Sequence, residues 1–331
     1  MNELDSLNKA KEHENNGDFF SAAHFYKIAL EEFLKKGDSE NIKLCKNKIV
    51  EMNKKSISSG KDFKSLNVEH KFTKEQQEQL DRFIENATKD KTLQQALQEI
   101  GGRRSFMPII KEVRESAKRT IPVSYSIMSI SAISDEGHLL KGGDNGEIHW
   151  LMKMYDIQQQ TILQLYLVPV IQKLISNKGD DEFNLKNLLD YFKKGGLINE
   201  KSLKFIEKGL KAFFDKDYTT ALHILIPRFE SVFLNTSELL GIDIISLDQD
   251  LGLSTRRKAL SDRHLSSEQF INAWGEDFCF QIRFVLLDPL GYKFRHKLAH
   301  GDISEEECNF NSCLLVIYLF LVILGRVKKT N

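Results

Sequence analysis

Apolar residues recur at helical spacing along most of the chain. In AFFDKDYTTALHILIPRFESVFLNTSELLG, the positions Ala221, Leu222, Leu225, Phe229, Val232 and Phe233 fall along one face of a helix. The same periodicity predicts helices over 147–176, 184–194, 199–214, 217–240, 266–287, 289–299 and 304–326. Earlier in the chain, 6–35 reads as two helices around a turn, 39–56 as a third, and 74–99 as two more. Two stretches break the pattern. SISSGKDFKSLNVEHKFT is polar and rich in Ser and Gly, which marks a linker. Residues 101–147 carry glycine pairs, Pro108, Pro122 and a β-branched, Ser-rich centre, which predicts an irregular connection with a short strand or two. The expected architecture is therefore all-α. It has a helical N-terminal bundle at 1–57, a linker at 58–73, a mostly helical middle region at 74–200, and a C-terminal helical domain at 201–331.

Composition narrows the partners. Lys plus Arg and Asp plus Glu each number 47, so no global basic field draws the chain to nucleic acid; any RNA contact must come from local patches. Two patches qualify. GRRSFMPIIKEVRESAKR holds Arg103, Arg104, Lys111, Arg114, Lys118 and Arg119, and STRRKALSDRH holds Arg256, Arg257, Lys258 and Arg263. Each is read either as an electrostatic groove for RNA or as a solvated helix face. The longest apolar run, CLLVIYLFLVIL from Cys313 to Leu324, is 12 residues. A bilayer span needs about 20, so a buried helix and no membrane contact are expected. The first residues carry no signal-peptide plan, and the four cysteines lack CxxC spacing, which together predict a cytoplasmic protein without a disulfide framework. KGGDNGE (141–147) lacks calcium-loop spacing and reads as an exposed turn.

The densest chemistry lies in RHKLAHGD, residues 295–302. Asp288-Pro289 is expected to open a helix that Gly301 closes in a left-handed C′ position. Asp302 with Glu305 is expected to form a capping box opening the last apolar helix. The corner thus offers Arg295, His296, His300 and Asp302 at a helix end. Arg295 and His300, five positions apart, stand about 140° apart around a helix axis, so only the long Arg arm or an irregular turn brings both to one pocket. His300 meets the negative end of the helix dipole, which favours a cation there. A proton-carrying imidazole beside a guanidinium suits phosphodiester cleavage, and RNA brings its own 2′-hydroxyl nucleophile, so no metal or other cofactor is required. The alternative is structural, with Arg and His bonding the last carbonyls of the helix. His296 and His300 also have the i, i+4 spacing of zinc ligands, but no third ligand accompanies them.

RHKLAH fits R-x4-H and resembles the signature of the HEPN superfamily. ALHILIPRFESVF followed by LLDPLGYKFRHKLAHGD is similar to a bacterial family of uncharacterised HEPN-like proteins, with the pattern L-x-P-x-x-E and then G-x-x-x-R-N-x-x-A-H-G. The likeness covers about 200–327, extends loosely over 100–200, and leaves out the N-terminus. There, Ala10, Gly17, Phe20, Ala29 and Phe33 resemble a single tetratricopeptide repeat. The HEPN resemblance implies a helical bundle that dimerises with two R-x4-H motifs facing each other. It also implies metal-independent endoribonuclease activity in toxin or anti-phage systems. Arg295 would then stabilise the scissile phosphate and His300 would act as general acid or base. His296 stands where the family more often has Asn, which leaves its role open. Pro227 and Glu230 match the upstream motif, and Glu230 is a candidate partner for a basic residue of the corner or for a surface ion pair. Some HEPN domains bind nucleotides or scaffold without catalysis. A non-catalytic interaction or nucleotide-binding protein is therefore the alternative, with the N-terminal helices as a site for a protein partner or trigger.

Overall fold

The computed structural model describes residues 3–61, 72–127, 132–133, 137–141, 146–248 and 254–327. Most of the linker expected at 58–73 and the centre of KGGDNGE lie outside them. The fold is all-α. In chain order the helices are α1 (Glu3–Asn15), α2 (Phe19–Lys36), α3 (Ser39–Ser59), α4 (Lys74–Thr88), α5 (Leu93–Gly102), α6 (Ile110–Thr120), α7 (Val123–Ile127), α8 (Gly146–Ile162) and α9 (Val168–Ile175). They continue as α10 (Leu185–Lys194), α11 (Glu200–Phe214), α12 (Tyr218–Leu239), α13 (Asp262–Leu265), α14 (Glu268–Trp274), α15 (Glu276–Ile282), α16 (Phe294–His300) and α17 (Phe310–Arg326). Among the described residues two antiparallel strand pairs interrupt them, β1 (Ala132–Ile133) with β2 (Leu139–Lys141) and β3 (Ile245–Asp248) with β4 (Ser254–Arg257). The chain forms two compact units, 1–71 with 122–149, and 72–121 with 150–331.

In the first unit, α1, α2 and α3 pack around Leu7, Ala10, Ala22, Ala23, Tyr26 and Met52. Asp18 caps α2 by accepting the Ser21 N–H, and Gly37 ends it in the left-handed region at φ 70°. The turn between α1 and α2 also needs Gly17, at φ 74°. Of the tetratricopeptide-like positions, Ala10, Ala29 and Phe33 are buried. Phe20 is not: it is 54% exposed, because its neighbour Phe19 faces the core instead. Inside this core, Glu14 accepts from the Tyr26 hydroxyl at 2.6 Å and pairs with Lys48 at 2.6 Å. Asn53 donates to the Gly137 carbonyl at 2.8 Å, holding the β1–β2 segment against α3.

In the second unit a single buried cluster runs from Ala87 to Leu324, taking in residues on both sides of position 200. Its axis is α17, whose residues from Cys313 to Leu324 are all buried. No helix among the described residues is long and apolar enough to cross a membrane. Asn199 and Asp217 cap α11 and α12, which form an antiparallel hairpin with Gly209 against the Leu225 side chain. The stretch expected as one helix over 266–287 is three pieces. Gly275, at φ 82° and ψ 147°, separates α14 from α15, and a π-helical turn at Arg283–Leu287 follows. Glycine is required at that break because an L side chain is strained at this φ.

Candidate functional site

The corner is built by α12, α16 and the chain near Leu260. Asp288-Pro289 does not open α16 as expected. The Asp288 carboxylate accepts the Leu290 N–H at 2.9 Å and pairs with Arg283, stabilising a turn instead of a helix. The helix begins at Phe294, after Lys293 in the left-handed region at φ 56°. Tyr292 anchors this turn: its hydroxyl donates to Asp156 at 2.9 Å and accepts from Gln160 at 2.7 Å, both on α8. Gly301 closes α16 at φ 76°. The Asp302 N–H reaches the Lys297 carbonyl at 2.7 Å and the Gly301 N–H reaches that of Leu298, the two bonds of a Schellman end.

The expected Asp302–Glu305 capping box is displaced by two residues. Ser304 and Glu307 make the reciprocal bonds, 3.1 Å from the Ser304 N–H and 3.3 Å from the Glu307 N–H. The box closes a turn, and α17 starts only at Phe310 with Asn309 as its cap. Glu307 also pairs with Lys297, tying this turn back to α16. The physical reason for the shift is the Schellman end, which uses the Asp302 backbone and leaves its side chain exposed.

Arg295 and Glu230 meet directly. Arg295 Nε donates to Glu230 Oε2 at 2.6 Å and Nη2 to Oε1 at 3.1 Å, a two-point fork. Nη1 donates to the Leu260 carbonyl at 3.2 Å, and the Leu260 N–H returns a bond to Glu230 Oε1 at 2.8 Å. The pair is partly screened from solvent, with Arg295 at 33% and Glu230 at 17% side-chain exposure. Leu260 enters through its backbone alone, which is why its part is invisible in the sequence.

His296 and His300 are both exposed, one turn apart, with ring centroids at 4.2 Å and planes tilted by 48°. No hydrogen bond joins either ring to Arg295 among the described residues. His296 lies below the ordinary imidazole range. Partial burial of the ring is the largest cause; Lys293, His300 and Arg295 add to it, and Asp302 opposes it. The structure thus gathers Arg295 with Glu230, and His296 with His300, around one short helix. Among the described residues no group of three His, Cys, Asp or Glu side chains is placed to hold a metal ion.

The two basic patches differ in position. The 254–264 patch adjoins the corner: Arg257 Nη2 donates to the Ser231 carbonyl at 2.9 Å, one residue from Glu230, and Lys258 Nζ is held by Asp243 at 3.1 Å. Arg256 and Arg263 are exposed on the same segment. Arg256 and Arg257 lie on strand β4, Lys258 directly follows it, and Arg263 lies on α13. In the other patch, Arg103 pairs with Glu99, while Arg104 is exposed near the end of α17. Comparison with family models, with curated proteins and with solved structures finds no match for this chain.

Proposed function

We propose that the chain is a metal-independent HEPN-type endoribonuclease acting in bacterial anti-phage defence or a toxin system, and that a homodimer completes its site. The observation carrying this reading is the exposed His296–His300 pair, ring centroids 4.2 Å apart, on the same short helix as a guanidinium fixed by Glu230. Cleavage needs two proton transfers. One base takes the proton from the 2′-hydroxyl as its oxygen attacks phosphorus, and one acid protonates the departing 5′-oxygen, leaving a cyclic phosphate. Two imidazoles one turn apart supply both kinds of group, with His300 as the principal one. Arg295 keeps two of its five N–H donors outside the Glu230–Leu260 bonds, and these favour negative charge building on phosphate oxygens. The 254–264 patch beside the corner offers a path for the RNA backbone.

A second reading rests on the same fork. Three of the Arg295 donors already hold protein groups, which favours a non-catalytic corner that serves as an interaction element. Cleavage of total RNA and tRNA in excess EDTA separates the two, with Arg295→Ala and His300→Ala alongside and light scattering to check oligomeric state. Activity that survives EDTA and vanishes in His300→Ala, with assembly unchanged, supports the nuclease. Wild-type protein that leaves every RNA intact, or equal cleavage by His300→Ala, removes it.

A further inference from the structure

Helices α5 and α17 cross with backbone against backbone. A Cβ on Gly325 would lie 2.9 Å from the Gly101 carbonyl carbon and 3.0 Å from the Gly102 nitrogen, and one on Gly101 would collide with the Leu321 carbonyl oxygen. Only glycine permits that approach. The crossing delivers Arg326, the last residue of α17, to a cleft of about 540 Å³ that Gly102 and Arg104 also line.

The Arg326 guanidinium is half-buried there. Nη1 donates to the Trp274 carbonyl at 2.8 Å, Nη2 lies 3.7 Å from Met107 Sδ, and the group sits 5.3 Å from the Phe278 ring centroid. Among the described residues no carboxylate forms an ion pair with it. The two acids at the cleft are engaged elsewhere: Asp277 accepts the Ile110 N–H at 3.0 Å, and Glu276 pairs with Arg114 at 2.5 Å. Arg104 and Lys111 line the same cleft and are exposed. Burial lowers Arg326 below the usual guanidinium range, with Asp277 acting in the opposite direction. An arginine nonetheless keeps its proton in a protein, so the cleft holds a partly desolvated guanidinium that the charge of Asp277 reaches but that has no direct ion-pair partner among the described residues.

We propose that this cleft binds the phosphate of a small phosphomonoester of nucleotide size, gripped by Arg326, Arg104 and Lys111. A carboxylate would answer one of three cations. A phosphomonoester carries close to two charges on three acceptor oxygens and engages all of them. The volume lies within the range of small-molecule sites, and Ile109 and Ala273 give the organic portion an apolar wall. The site does not depend on the nuclease reading of the Arg295–His300 corner, and its test reads binding without reference to cleavage.

Isothermal titration of the full chain with AMP, ribose 5-phosphate, adenosine and a short RNA oligonucleotide lacking terminal phosphates tests the proposal. AMP is expected to bind and adenosine not to bind. Ribose 5-phosphate binding as well as AMP would mark a sugar-phosphate site, and AMP alone a nucleotide site; either supports the phosphomonoester grip. Arg326→Met is expected to weaken binding about tenfold or more, as loss of a charge-assisted contact does. The surface double variant Arg104→Ala, Lys111→Ala should do the same, and it carries the test if Arg326→Met fails to fold. The proposal falls if neither phosphomonoester binds at millimolar concentration, or if adenosine binds as well as AMP. It also falls if the surface variant binds unchanged, or if only the oligonucleotide binds.

Discussion

Arg295 grips Glu230 across 65 positions of sequence through two hydrogen bonds, at 2.6 and 3.1 Å, and both residues bond the Leu260 backbone. The closed set of four bonds joins α12, α16 and the segment after β4. It fixes the helix that carries both histidines.

Loss of either partner is therefore a stability event. Glu230→Ala and Arg295→Ala should each lower the unfolding free energy by about 1–3 kcal/mol, since the group left behind loses charge-assisted bonds in a partly buried place. Arg295→Lys keeps the charge but not the fork, and should recover only part of the loss. Urea denaturation of the single and double variants gives the coupling directly. Midpoints that match wild type would mean the fork contributes nothing.

His300 contrasts with Arg295. It is exposed at the end of α16, so His300→Ala should change stability by less than about 0.5 kcal/mol. The same denaturation series checks it. An unstable His300→Ala would make any loss of RNA cleavage uninterpretable and assign the residue to the scaffold.

His296 should titrate below the ordinary histidine value of 6.5, because partial burial and the neighbouring cations disfavour its charged form. The unfolded chain then takes up this proton more readily. The stability tied to the neutral ring is complete above the unfolded value and falls away as pH drops through it. Proton NMR of the ring hydrogens follows the midpoint. In Asp302→Asn it should move further down, since the carboxylate that favours the charged ring is removed; in Lys293→Gln it should move up. A midpoint at the ordinary value, unmoved by either change, would contradict this electrostatic picture.

The α5–α17 crossing makes a sharper forecast. Gly101→Ala places a methyl group against the Leu321 carbonyl, and Gly325→Ala places one against the backbone of Gly101 and Gly102. Each should cost about 1–3 kcal/mol or more, as overpacking does. Gly102→Ala, whose added Cβ meets open space, is the control and should be mild. Thermal unfolding of the three variants decides it.

Much of this architecture was legible in the chain. Helical periodicity is local, so the α11–α12 hairpin and the buried apolar run from Cys313 to Leu324 could be read from spacing alone. Gly301 announced the end of α16 because its left-handed backbone is a property of one residue. The sequence also put Glu230 and Arg295 forward, through the residue types and motifs around them. Tertiary structure decided the rest. Whether Asp288-Pro289 starts a helix or a turn depended on Arg283 and on Tyr292 reaching α8, contacts distant in sequence. The capping box moved to Ser304 and Glu307 because Asp302 was already engaged through its backbone. Leu260 joined the corner through N–H and C=O groups that every residue has, so no side-chain pattern could mark it. The Arg326 cleft was equally hidden, since it exists only where two glycines let two helices touch.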